Sequence, residues 1–116
     1  MATYSKHILT GSTYGRGVAV AATTSGAADT IHTVPVSVED EVWIYAQNTA
    51  AVATSLTIWF GGTTATSDQI TISIPSKDGL TLVVAGLMIG GNLTIKAHAE
   101  RTNEIILYGQ VNRLTP

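Results

Sequence analysis

The 116-residue chain contains no cysteine. That excludes thiolate nucleophiles, disulfide frameworks and cysteine-held zinc, and it leaves the redox compartment open. Charge is scarce as well: 12% of residues are charged and the net charge is −2, against an ordinary charged share of roughly 25%. Its three arginines and three lysines are dispersed, so there is no basic stripe for a phosphate backbone, and nucleic acid is not an expected partner. No stretch approaches the ~18 consecutive apolar residues of a membrane helix. The opening MATYSKHILTGS lacks the apolar core of a secretion signal, so the chain reads as soluble and unprocessed, with no membrane partner. Leucine is in short supply too. Its 8 copies are outnumbered by 18 threonines, 11 isoleucines and 10 valines, branched side chains that suit a pleated surface better than a helix wall.

What is present is alternation. Short runs with apolar residues at every second position recur between turn signals, and they predict strands. Lys6–Thr10 is short and weak. Arg16–Ala22 follows the glycine-rich turn Gly11–Gly17 and puts Val18, Val20 and Ala22 on one face. Thr30–Val38 sets His32, Val34, Val36 and Val38 on one side, and the acidic step Glu39-Asp40-Glu41 reads as a turn. Val42–Gln47, Ser55–Phe60, Asp68–Ile74, Leu80–Val84, a brief Leu-Met-Ile run, Leu93–Ala99 and Glu104–Leu114 follow. The last carries apolar residues on both faces, as a strand covered on both sides does. Eight to ten short strands with regular turns predict an all-β fold: an antiparallel β-sandwich, a jelly roll being one form of it. Residues 18–116 read as a single sandwich domain. Residues 1–17, with Tyr4, His7, Ile8, Leu9, Tyr14 and two basic side chains, read as an arm that orders on a neighbour or as an edge strand.

The aromatics give the sharpest local expectation. If Val42–Gln47 and Ser55–Phe60 form a hairpin, pairing Ile44 with Ile58 keeps the core residues on one face and sets Trp43 opposite Trp59, with Tyr45 diagonal to it. Three aromatics then cluster on the face turned away from the core. Another segment of the chain, a partner or second copy, or a sugar stacked on the rings can cover them.

Catalytic constellations are thin. His7, His32 and His98 have no spacing that puts two imidazoles on one metal. Lys96, His98 and Glu100 share a strand face that reads as solvated. Neighbouring carboxylates in Glu39–Glu41 point to opposite sides and cannot form a glycosidase pair. The Gly11–Gly17 run looks like a phosphate loop, but a strand follows it where such loops need a helix N-terminus. Asn92-Leu93-Thr94 matches a glycosylation sequon, a pattern that recurs by chance. No catalytic residue, metal or cofactor is expected, and the chain reads as a non-enzyme.

A resemblance enters at Asp40-Glu-Val-Trp-Ile-Tyr-Ala-Gln-Asn-Thr49, Leu56-Thr-Ile-Trp-Phe-Gly-Gly62, Ile74-Pro75 with Gly79-Leu80, and Gly109-Gln-Val-Asn-Arg113. Over residues 40–114 the chain resembles small structural proteins of tailed-bacteriophage virions, the head decoration or cement proteins; the N-terminal third carries no part of this likeness. The resemblance implies a β-sandwich that binds the outer surface of the assembled head, often as a homotrimer, and reinforces the major capsid protein. On that expectation Trp43, Tyr45, Trp59, Tyr4 and His7 are the candidate oligomer or capsid contacts. The other expectations for these residues are a carbohydrate-binding sandwich module that uses the rings as a stacking platform, or a phage tail component.

Overall fold

Alternation in the longest runs decides the architecture. In β4 (Glu39–Asn48), Asp40, Val42, Ile44, Ala46 and Asn48 are buried, while Glu41, Trp43, Tyr45 and Gln47 on the other face are half-buried. A strand with one buried face needs a second layer, and the chain supplies it. The computed structural model describes residues 2–116. Within them lie β1 (Thr3–Ile8), β2 (Val18–Ala19), a 3-10 turn at Ser25–Ala27, β3 (Asp29–Thr33), β4, β5 (Thr54–Phe60), β6 (Gln69–Ile74), β7 (Thr81–Gly90), β8 (Thr94–Ala99) and β9 (Ile105–Thr115).

They form two packed antiparallel sheets, a two-layer β-sandwich. The five-stranded sheet runs β1-β9-β4-β7, with β2 also on β9, and the four-stranded sheet runs β3-β8-β5-β6. Ile44 and Val42 of β4 and Leu107 and Val111 of β9 are fully buried in the first sheet, as are Ile58 and Leu56 of β5 and Ile95 and Ala97 of β8 in the second.

The expected hairpin between Val42–Gln47 and Ser55–Phe60 does not form. β4 pairs with β7 and β9, β5 pairs with β6 and β8, and residues 49–53 carry the chain from one sheet to the other. Asn48 anchors that crossing. Buried at the end of β4, it donates from Nδ2 to the carbonyls of Val52 (2.9 Å) and Ile74 (3.0 Å) and accepts the Ala50 N–H at Oδ1 (2.9 Å). Its side-chain amide thereby closes backbone groups that the crossing would leave unpaired in the interior.

Other boundaries shift for identifiable reasons. The acidic step is not a turn: Glu39, Asp40 and Glu41 open β4, and Asp40 points inward. The expected strand Thr30–Val38 ends at Thr33, leaving Val36 exposed. Leu93, the first residue of the expected strand Leu93–Ala99, precedes β8 and is exposed. Leu80–Val84 and the Leu-Met-Ile run are one strand, β7, which skips register twice against β4. Gly86 sits at the first of these bulges with φ +75°, and a Cβ there would come within 2.8 Å of the Trp43 indole, so conformation and space both require glycine. β9 is not buried on both faces: Ile105, Leu107 and Val111 are, while Ile106 and Tyr108 opposite them are half-buried.

β1 forms the outer edge of the five-stranded sheet, paired from Thr3↔Thr115 to Ile8↔Gln110, and every one of its residues is exposed. Met1, the first residue of the expected 1–17 arm, lies outside the described residues. After β1 the chain turns inward at buried Leu9 and crosses to the edge of the other sheet, where the Gly11 N–H donates to the Ile31 carbonyl (2.8 Å). The Thr33 N–H donates to Thr10 Oγ1 (2.7 Å) at the same seam.

Candidate interaction surface

Trp43 and Tyr45 stand on the outer face of the five-stranded sheet. Register places Tyr45 between Tyr108 of β9 and Leu82 of β7, and Trp43 between Gln110 and Ala85. Two positions further along, Glu41 lies between Asn112 and Met88, and Asn112 is in turn opposite Lys6 of β1. In an antiparallel ladder directly opposed residues share a face, so these rows compose one surface, rich in rings and poor in charge. Trp43 is partly satisfied within the chain: its indole lies over Gly86 and its Nε1–H donates to Glu41 Oε1 (2.9 Å).

Trp59 is elsewhere. It lies on the outer face of the four-stranded sheet between Lys96 and Gln69, and it is only 4% exposed. Its indole stacks on His98 with ring centres 5.9 Å apart and planes at 25°, and Nε1–H donates to His98 Nδ1 (2.9 Å). The structure therefore joins Trp43 and Tyr45 but keeps Trp59 apart from both. A single platform of the three rings, whether for a partner or for a sugar, does not exist.

The expected solvated row of β8 is also partly engaged. His98 accepts the indole proton and burial lowers its pKa below the ordinary histidine value. Glu100 Oε1 accepts the Ser55 N–H (3.1 Å). Tyr4 and His7 lie on β1; Tyr4 is 62% exposed, and His7 Nε2 is within hydrogen-bonding distance of Ser5 Oγ (2.9 Å).

Sequence reasoning missed a buried polar cluster inside the sandwich. Asp40 and His32 are fully buried, with His32 Nε2 2.7 Å from Asp40 Oδ2. Arg113 grips the same carboxylate through Nε–H to Oδ1 (2.9 Å) and Nη2–H to Oδ2 (3.2 Å). The Thr10 N–H donates to His32 Nδ1 (3.1 Å), so that nitrogen carries no proton and Nε2–H is the donor to Asp40. Burial by itself raises the Asp40 pKa, but the hydrogen bonds from Arg113 and His32 and the guanidinium charge outweigh it and hold the carboxyl below its ordinary value. The cluster's bonds tie together the loop after β1, β3, β4 and β9, and both oxygens of the buried Asp40 and both ring nitrogens of His32 are engaged. That satisfaction marks a structural tie, and no signal local to His32, Asp40 or Arg113 announces it.

Several hollows mark the surface of the described residues. One of about 690 Å³ lies between Thr13, Arg16, Gly17, Ile106 and Tyr108. A second of about 390 Å³ is lined by Gln47, Asn48, Thr49, Lys77 and Gly79, and a third of about 230 Å³ by Gly61, Gly62, Thr63, Asn92, Leu93, Thr94 and Lys96. Among the described residues no group of three His, Cys, Asp or Glu side chains is placed to hold a metal ion. Comparison with family models, with curated proteins and with solved structures gives no match to any of them.

Proposed function

We propose that the protein is a non-enzymatic structural component of a virion: a head decoration protein that binds the major capsid protein on the outer surface of the assembled head and acts there as a homo-oligomer, the trimer being favoured. The observation that carries this reading is β1. Six residues of strand, exposed on both faces, project one unpaired row of N–H and C=O groups with Lys6 as the only formal charge. Such an edge is a template for pairing, and a protein that works by assembly has a use for it. The opposite edge of the same sheet, β7, exposes Leu82, Leu87 and Met88, and it carries no charged residue at all.

We also infer that the sandwich is a jelly roll. The orders β1/β2-β9-β4-β7 and β3-β8-β5-β6 support this reading: they fit two interlocked Greek keys when β1 and β2, end to end along β9, are taken as one first strand. Jelly rolls recur in capsid proteins and lectins, an analogy of fold that agrees with the sequence likeness and is independent of it. Stabilising a particle needs no chemistry, only surface that is hidden once the particle has formed, because a ligand of the assembled state favours that state by mass action.

Light scattering behind size-exclusion chromatography tests the oligomer, with a mass near three times 12.1 kDa expected. Cosedimentation with capsids stripped of decoration tests the partner. A protein that stays monomeric at high concentration and remains in the supernatant when the capsids pellet would overturn the proposal.

A further inference from the structure

The hollow beside Tyr108 has features that assembly does not use. Its floor is the outer face of β9, where Ile106 and Tyr108 are half-buried. Its rim is the 11–17 loop, and that loop is internally braced: Ser12 Oγ–H donates to the Arg16 carbonyl (2.7 Å) and the Arg16 N–H to the Thr13 carbonyl (3.0 Å). Gly17 rests directly on the floor. A Cβ there would meet Ile106 Cγ2 at 2.5 Å and the Tyr108 ring at 2.8 Å, so only glycine lets the loop lie this close.

Two side chains of the loop are presented outward, Arg16 on the hollow and Tyr14 at the loop tip, outside the hollow's lining. Arg16 is exposed, and its guanidinium makes no ion pair among the described residues. Tyr14, at the tip, is 92% exposed and held at φ +52°, a left-handed conformation that bulky residues rarely adopt. The exposed, unpaired cation therefore stands on a braced rim beside the half-buried Tyr108.

From this arrangement we propose that the hollow binds an acidic sugar residue of a polysaccharide, with the pyranose face on Tyr108 and its carboxylate on Arg16. The chemistry selects this class. A half-buried tyrosine ring offers a rigid apolar face to the C–H side of a sugar, the guanidinium fork matches a carboxylate, and the Thr13 hydroxyl is a neighbouring hydrogen-bonding group for ring hydroxyls. About 690 Å³ lies within the roughly 300–1,000 Å³ of small-ligand sites, and the hollow is open to solvent, as a site for one residue of a polymer must be. The proposal stands or falls separately from the virion reading.

Titration of the ¹⁵N-labelled protein with trigalacturonate, cellotriose and inorganic phosphate tests it. Trigalacturonate at millimolar concentration is expected to shift the amides of residues 12–17, Ile106 and Tyr108, with cellotriose weaker and phosphate weaker still. Arg16→Gln, an exposed change that leaves the core untouched, is expected to weaken trigalacturonate about tenfold or more and to leave cellotriose unchanged. Tyr108→Leu, which keeps apolar volume on the floor, is expected to weaken both sugars. The idea is refuted if trigalacturonate leaves these amides unmoved, if Arg16→Gln binds it as well as the parent, or if phosphate alone reproduces the shifts.

Discussion

Asp40 is a charge placed where water cannot reach it, and its neighbours decide what that costs. Both oxygens are taken by Arg113 and one is shared with His32, so removing the charge strands a guanidinium designed around it. Asp40→Asn is expected to lower unfolding free energy by about 3 kcal/mol, the low end for breaking a buried pair because Arg113 still reaches solvent, as chemical denaturation will show. The same carboxyl sets the acid limit. Its folded pKa lies below the ordinary value, so in the unfolded chain it takes up a proton at higher pH than in the folded one. Its contribution is complete above the ordinary carboxylate range and is lost as pH falls through the folded value. His98 adds a milder slope. Its pKa is lowered by burial, so below about 6.5 the unfolded chain binds the proton first and stability declines with falling pH until the folded value is passed. Trp59→Leu removes both the stacking cover and the indole donor. An NMR titration of that variant should find the His98 imidazole titrating nearer its ordinary value, with the slope reduced.

Strands meet most closely where β9 passes β4. Gly109 lies opposite Ile44, and a Cβ on it would collide with the Trp43 carbonyl oxygen, backbone that has no freedom to retreat. Gly109→Ala is expected to cost about 3 kcal/mol by overpacking and to loosen the β4–β9 ladder, seen as faster amide exchange in both strands. How much of this was legible follows from what alternation encodes. The buried faces of β4, β5 and β6 stand in the period-two pattern of Val42/Ile44/Ala46, Leu56/Ile58 and Ile70/Ile72/Ile74, and so does a two-layer fold. The pattern does not say which layer a strand joins. Neighbouring runs pair more often than not, which is why a β4–β5 hairpin is the natural expectation and why the crossing at Asn48, fixed by bonds to Val52 and Ile74, overturns it. Gly86 reads as a break because a glycine in a strand usually is one, and the indole that explains it arrives from 43 positions earlier. The acidic triplet and Arg113 meet only through register 73 residues apart, and Arg16 meets Tyr108 only once the loop has folded back. Nothing local carries either encounter.

At the scale of the molecule, the exposed area of 6049 Å² is close to the roughly 6,000 Å² expected of a folded monomer of 12.1 kDa. The amount of surface is ordinary; its distribution is not, since Tyr4 and Ile8 on one edge and Leu82, Leu87 and Met88 on the other stay open. Placing charges on the first edge, in the double variant Tyr4→Lys with Ile8→Lys, should leave the thermal midpoint of the isolated chain within a few degrees, because both side chains already face solvent. On the proposed function it should also abolish the trimer expected in light scattering and the cosedimentation expected with capsids. One further consequence comes from the pairing of Thr3 with Thr115. The two ends of the described chain lie side by side on one ladder, so a short glycine-serine bridge can sew them together, while new ends are cut into the exposed Thr63–Ser67 turn. Such a circular permutant should refold with the parent's circular dichroism spectrum. It would also move any fused cargo from the β1 edge to the opposite sheet, giving a molecule whose display site can be chosen by where its backbone is opened.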